Sequence, residues 1–422
     1  MIKIIFTIFL MANTLWAVDA KLQIVKQIAS KPKISVSIDT SSQERLILSK
    51  IKKGVVDDLN ISGNFEVSAF ETSIAYSSNP NYIELKNNGI DLFLNLSSKK
   101  EQNGNYVLMT KLYDVNKNIL VLEKNYTTDL EDRYIFLAHK TSIATNDYIK
   151  APSINWMEKF VVFSAYDGAN KANIMIGDYT LTYKTRVVSG GLNLFPKWAN
   201  AKQDTIFYTT YNYKKPTLVK LNIYKGTKEF IMDSDGMIVC SDVNQNEDKI
   251  LITAAPEGQA DIFLYDLKTK QKTKVTTHAG IDVGGQFLDS DKKIAFVSDR
   301  LGNPNIFVQK IGESAVERFV FHSNNNSSVA TYEDKVVFSS RDSQNQFQKK
   351  SFNLYLSSTK SNDLKRLTAT GVNQFPKFSK DGESLLFLRT IDNSSYLGIL
   401  RLNLDKTYLF PLKGNRIQSI DW

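Results

Sequence analysis

From residue 161 onward, the alternation of apolar and polar positions repeats itself. A short apolar core recurs at Val161, Ile206, Ile250, Ile294, Val336 and Leu385, at intervals of 45, 44, 44, 42 and 49 residues. After each core comes a polar turn and then a second strand pattern, as in Asn173-Ile174-Met175-Ile176 and Asn305-Ile306-Phe307-Val308. A third strand follows, often basic at its start, as in Lys184-Thr185-Arg186-Val187-Val188. Four short strands in a unit of roughly 40–45 residues mark a β-propeller blade. Six copies predict a closed ring.

Residues 21–150 do not share this period. Residues 33–38 alternate and predict a strand. Between 42 and 59 the apolar residues Leu46, Ile47, Ile51, Val55 and Leu59 fall on one helical face, with Thr40, Ser41 or Ser42 as N-cap and Ser62-Gly63-Asn64 as the stop. Strands are expected from Phe65 and over 91–96, 106–113 and 119–126. A second helix is expected over 131–149, with Tyr134, Ile135, Ala138, Ile143 and Tyr148 on its apolar side. The fold class is therefore a small N-terminal α/β domain (32–150) plus an all-β six-bladed propeller (154–422), divided at Ala151-Pro152-Ser153. The last segment, Ile417-Gln418-Ser419-Ile420-Asp421-Trp422, is similar to the blade-opening segments Phe195-Pro196-Lys197-Trp198 and Phe375-Pro376-Lys377-Phe378. The first repeat has only a weak opening at Ile154-Asn155-Trp156. The C-terminal strand is thus expected to supply the inner strand of blade 1 and leave no free edge.

The first residues read as a secretory leader. Lys3 precedes an apolar run from 4 to 16 that is too short to span a bilayer, and small residues follow at Ala17 and Ala20. Cleavage after Ala17 is expected, with Ala20 as the alternative. That leaves a tail at 18–31 and an exported protein. Cys240 is the only cysteine, so no internal disulfide is possible, and it reads as a small buried side chain. The net charge is +9, but Lys and Arg are scattered, without the basic stripe that nucleic acid requires.

Candidate chemistry is sparse. The three histidines, His139, His278 and His322, have no zinc-site spacing. His139 is expected to make a structural hydrogen bond within or between domains. No G-x-S-x-G elbow, P-loop or dinucleotide fingerprint is present. Asp233-Ser234-Asp235-Gly236 reads as a turn, because Asn244 stands where a calcium loop needs glutamate. No catalytic residue, cofactor or metal site is expected. What remains is the mouth formed by the loops entering each inner strand, which offers Leu194, Phe195, Met237, Ile281, Asp282, Val372, Asn373 and Arg416. An exported propeller enzyme or a glycan-binding lectin is the alternative to a scaffold. An enzyme would need a buried cluster of titratable groups there, and these loops offer only Asp282 and Arg416.

The blade motif, clearest at Phe375-Pro376-Lys377-Phe378-Ser379-Lys380-Asp381-Gly382, resembles the TolB-type propeller repeat. In the first domain, Asp58-Leu59-Asn60-Ile61-Ser62-Gly63-Asn64-Phe65, Leu112-Tyr113-Asp114 and Arg133 with Ala138-His139-Lys140 resemble TolB family segments. A departure is Tyr82, where the family usually has Trp before its G-V-D strand. The resemblance covers the whole chain. It implies a monomeric periplasmic scaffold, peripheral to the outer membrane, that maintains outer-membrane integrity and supports its invagination during division. It also implies two partners. The peptidoglycan-associated lipoprotein Pal would dock on the propeller mouth. The C-terminal domain of TolA would take up the tail through Asp19, Lys21, Leu22, Ile24 and Val25, as an added strand.

Overall fold

The computed structural model describes residues 31–42, 44–323, 325–341, 351–392, 394–412 and 416–422. The leader, its cleavage sites and the tail residues Asp19, Lys21, Leu22, Ile24 and Val25 lie outside the described residues.

The N-terminal domain is a five-stranded sheet carrying helices. Its elements are β1 (Lys33–Ile38), α1 (Arg45–Ser62), β2 (Glu66–Val67), α2 (Tyr82–Asn87), β3 (Leu92–Lys100), β4 (Tyr106–Asp114), β5 (Ile119–Thr128) and α3 (Tyr134–Tyr148). The sheet order is β2-β1-β3-β4-β5. β1 is parallel to β2 and β3, while β3, β4 and β5 form an antiparallel meander. Gly63 ends α1 with φ +71°, a conformation that an L side chain rarely adopts.

Three local expectations need correction. Leu46 is 76% exposed, whereas Leu48 is fully buried. The true stripe is Ile47, Leu48, Ile51, Val55 and Leu59, and Leu46 lies about 100° round the helix from Ile47, on the side away from Leu48. None of Thr40, Ser41 and Ser42 caps α1. Glu44 occupies the N-cap without a side-chain bond, and the Ser42 hydroxyl donates to Ser98 O at 3.0 Å. α3 has no single apolar side, because it lies between α1 and the propeller and buries His139, Thr141, Ser142, Thr145 and Asn146 as well as Ile135 and Ala138. Its close approach to α1 depends on Gly54, where an added Cβ would sit 2.9 Å from Ala138 Cβ.

Among the described residues, the propeller has six four-stranded blades. Their inner strands are Ile417–Asp421 (blade 1), Asn193–Trp198 (blade 2), Ile238–Val243 (blade 3), Asp282–Leu288 (blade 4), Asn326–Tyr332 (blade 5) and Val372–Phe378 (blade 6). These adjoin one another in cyclic order and close the ring. Blades 5 and 6 also share one parallel bridge, Phe352 to Val372. In blade 1, Ile417–Asp421 pairs antiparallel with Val161–Tyr166, so the two ends of the repeat region are joined in one sheet, as the final segment predicts. The turns lacking Asp-Gly in blades 3 and 5 keep a left-handed residue, Glu247 (φ +58°) and Glu333 (φ +53°), in the region that Gly382 (φ +68°) occupies in blade 6.

Candidate functional site

Antiparallel alternation fixes what lies at each end of the ring. The loops between blades enter the inner strands at one end. The turns leaving the inner strands, and those joining the third and fourth strands, lie at the other. The N-terminal domain sits at the second end. Tyr179, in the third turn of blade 1, donates to Asp58 of α1 at 2.6 Å. Leu404, in the corresponding turn of blade 6, fills the space over Gly63. The end with the inter-blade loops is therefore the uncovered one among the described residues.

Four of the six inner strands share a layout. Asn193, Asp282, Asn326 and Asn373 occupy equivalent early positions, and all four are buried. Two residues later the backbone turns left-handed, at Phe195 (φ +54°), Gly284 (φ +66°), Ser328 (φ +51°) and Phe375 (φ +54°). The amides hold the incoming loops. Asn193 Nδ2 donates to Gly190 O at 2.9 Å, Asn326 Nδ2 to Ser323 O at 2.9 Å, and Asn373 Nδ2 to Thr370 O at 3.0 Å. Asp282 instead receives both of its contacts, at 3.0 and 3.1 Å, from Arg300.

At the uncovered end the inner strands enclose a cavity of about 310 Å³. Its apolar wall includes Phe195, Pro196, Met237, Val283, Phe375 and Pro376. Of the residues expected at the mouth, the structure brings Phe195 and Met237 together here. Leu194 is buried in its strand, and the Asp282 carboxylate and the Asn373 Nδ2 are engaged in internal bonds. Ile281 is 51% exposed in the loop entering blade 4, and Val372 is half-buried. Arg416 is exposed, with its guanidinium 5.8 Å from the Tyr166 ring centroid.

Below this wall lies a belt, polar at five of its six positions, that the sequence reading missed. Lys197, Asp242, Gln286, Ala330, Lys377 and Asp421 occupy one column of the six inner strands, each followed by the residue that closes its blade: Trp198, Val243, Phe287, Thr331, Phe378 and Trp422. Lys197 Nζ lies 3.1 Å from both Asp242 and Asp421. The other oxygen of each carboxylate accepts a backbone N–H from the next blade, Asp421 from Trp198 N and Asp242 from Phe287 N, both at 2.9 Å. Burial by itself would lower the Lys197 pKa, but Asp421 and Asp242 outweigh it and raise it above the usual lysine range. Lys377 is pushed below that range, first by burial and then by the Lys197 ammonium. Lys197, Gln286 and Lys377 also line a second cavity of about 500 Å³ on the opposite side of the belt. A signal was present: setting Phe-Pro-Lys-Trp, Phe-Pro-Lys-Phe and Ser-Ile-Asp-Trp in register puts two lysines and an aspartate in one column.

A second buried ionic cluster ties the N-terminal domain to blade 1. His139 of α3 is fully buried, with Nδ1 2.8 Å from Asp58 Oδ2 and Nε2 3.6 Å from Asp178 Oδ2. Burial opposes the charged ring, but Asp58 and Asp178 outweigh it and lift the His139 pKa to about 9. This is the structural contact expected of His139. Trp156 packs edge-on against Tyr179 and against Trp422, at 5.2 and 5.3 Å. Elsewhere, Cys240 is buried, and burial pushes its thiol up. Asp235, in the acidic turn before blade 3, pairs with Lys215 at 2.7 Å. Among the described residues, no group of three or more His, Cys, Asp or Glu side chains could hold a metal ion.

Comparison with known proteins fits this architecture. Residues 148–418 match the family model of the TolB beta propeller domain, and residues 20–120 match that of the TolB amino-terminal domain. Among curated relatives, the chain is 44% identical to the Tol-Pal system protein TolB of Wolinella succinogenes, with all of both chains covered. It is 42% identical to that of Helicobacter pylori, over 97% of each chain. It is 39% identical to that of Campylobacter jejuni, over 99% of this chain and 98% of the relative. Among solved structures, the crystal structure of TolB from Acinetobacter baumannii superposes with a TM-score of 0.75 at 21% identity, covering 93% of this chain and 96% of that one.

Proposed function

The chain belongs to the TolB family and is a Tol-Pal system component, and we propose that within that system it is a non-enzymatic periplasmic adaptor. In this reading the leader at 1–17 directs export, and the tail at 18–31 binds the TolA C-terminal domain. The α/β domain (32–150) and the propeller (154–422) form the body, and Pal docks at the propeller mouth. The protein is a monomer, peripheral to the outer membrane through Pal. Coupling the two partners supports outer-membrane integrity and invagination at division.

One observation carries the reading. The uncovered end of the ring opens into an apolar cavity whose wall includes Phe195, Met237, Val283 and Phe375. Such a surface suits a protein side chain better than a small polar substrate. The charged groups beneath it, Lys197, Asp242 and Asp421, are tied to one another and to backbone N–H groups, which suits a structural belt better than acid–base chemistry.

The test is capture from an envelope extract on the immobilised mature protein, followed by the same experiment without residues 18–27. Full-length mature protein retains Pal and TolA, and the truncated protein retains Pal alone. Retention of TolA after truncation would place TolA elsewhere. Absence of both partners from the intact protein would overturn the adaptor reading and favour the lectin or enzyme alternative. N-terminal sequencing of the exported protein is expected to begin at Val18 or Lys21, and an intact Met1 on the soluble protein would contradict export with cleavage.

A further inference from the structure

The channel belt does not balance locally. It holds two ammonium groups, Lys197 and Lys377, and two carboxylates, Asp242 and Asp421, but their contacts are unequal. Lys197 takes one oxygen of each carboxylate at 3.1 Å. Backbone N–H groups take the others. Lys377 is left with a single ion-pair partner among the described residues, the Asp421 oxygen already held by Lys197, at 3.8 Å. That is beyond hydrogen-bond reach. No hydrogen bond to Lys377 Nζ is present among the described residues, although its side chain is only 19% exposed. On the inner-strand column, its neighbour in blade 5 is Ala330, which offers no side-chain acceptor.

An ammonium with three donors that reaches a cavity and has no protein hydrogen bond among the described residues is open to an incoming acceptor. The position of Lys377 says what could reach it. It lines the 310 Å³ cavity together with Phe195, Pro196, Met237, Val283, Phe375 and Pro376. An occupant must therefore be apolar along its length and negative at its tip. A hydrated inorganic anion does not meet the first requirement, and an apolar side chain does not meet the second.

We propose that the Lys377 ammonium, at the inner end of the apolar mouth, receives the carboxylate of an aspartate or glutamate carried on an extended segment of the docking protein, with an apolar neighbour of that residue against Phe195, Met237 and Phe375. This rests on the reading that the mouth is the Pal-docking surface, and it specifies the chemistry of the anchor. The contact is a charge-assisted hydrogen bond, the stronger kind. The pair is formed on binding and never left half-made in the complex.

The test uses the mature protein and the periplasmic domain of Pal from the same organism, by titration calorimetry and by carbodiimide coupling. Lys377→Met keeps the stem and removes the charge. It should weaken Pal binding by tenfold or more while leaving the unfolding temperature unchanged or higher, since a poorly satisfied ammonium has been removed. Lys377→Glu should abolish binding, and one acidic-to-lysine substitution in Pal should restore it. Carbodiimide, which joins a carboxylate to an amine in direct contact, should cross-link wild-type Lys377 to one Pal acid, an outcome that does not depend on any variant folding. Pal binding by Lys377→Met equal to wild type, or cross-linking that bypasses Lys377, overturns the inference and leaves the docking reading intact. Competition by millimolar acetate with no acidic dependence in Pal would show a free-anion site and overturn it as well. No binding by the wild type overturns the docking reading and this inference together.

Discussion

Among the described residues, the buried ionic clusters at the domain junction and in the channel are built differently. At the domain junction, His139 lies between two carboxylates, and Asp58 is also held by the Tyr179 hydroxyl. In the channel, Lys197 lies between two carboxylates, but Lys377 beside it is left over. The junction sits between α1, α3 and blade 1 and is closed to solvent. The channel belt is shared by two cavities. Buried charges cost desolvation unless they are fully paired. A closed cluster can thus fix how two parts of a fold meet, whereas an open one with a surplus charge is suited to binding.

The largest effect should come from removing the strand that carries one member of the belt. Deleting residues 417–422 leaves Val161–Tyr166 without its inner partner and takes Asp421 and Ile420 out of the ring. A loss of at least about 4 kcal/mol is expected, on the scale of one large buried side chain plus a broken buried ion pair. Urea unfolding checks this, and an unchanged midpoint would show that the ring does not depend on this strand. Asp421→Ala alone is the sharper version. It leaves Lys197 with Asp242 only and frees Trp198 N, so it should cost about 3 kcal/mol.

The junction cluster predicts a pH dependence of definite sign. The folded-state pKa of His139 is raised from 6.5 to about 9. Its contribution is therefore fully present below pH 6.5 and fades as pH rises through about 9. The wild type should lose up to about 3 kcal/mol of stability relative to His139→Gln between pH 6 and pH 10. Denaturant midpoints of the two proteins across that range provide the check. A constant difference would mean that His139 is not charged in the fold.

Legibility in the sequence followed the same division. The ring was readable because one blade is one repeat, and the closing strand because its Trp422 stands where Trp198 stands in blade 2. The C-terminus of α1 was readable because a left-handed cap needs Gly63. The junction was only half-readable. Asp58 lies on the apolar stripe of α1, a sign of a buried partner, but His139 is 81 residues away and nothing local joins the two. The belt was hidden for another reason. Its lysines and aspartates look like surface residues in any single blade, and only closure of the ring turns one column of six positions into neighbours. Asp282 and Asn373, expected in the mouth loops, stand instead in inner strands, where the Asp282 carboxylate accepts from Arg300 and Asn373 Nδ2 holds the incoming loop.

The smallest effect is expected at Leu46. Apolar residues on a helix invite the inference that they are core, but this one is 76% exposed. Leu46→Gln should change stability by less than about 0.5 kcal/mol, whereas Leu48→Ala, at a fully buried site, should cost about 2–4 kcal/mol.

The claim that the uncovered end of the ring is the docking surface is tested most directly by titrating the Pal periplasmic domain into three proteins: the wild type, Met237→Asp in the mouth and Ile83→Asp on the first domain, where Ile83 is 74% exposed. The account predicts that Met237→Asp loses about 2 kcal/mol or more of binding free energy at unchanged unfolding temperature, while Ile83→Asp binds as the wild type does. Normal binding by Met237→Asp together with loss of binding by Ile83→Asp would place the partner on the N-terminal domain and contradict the account.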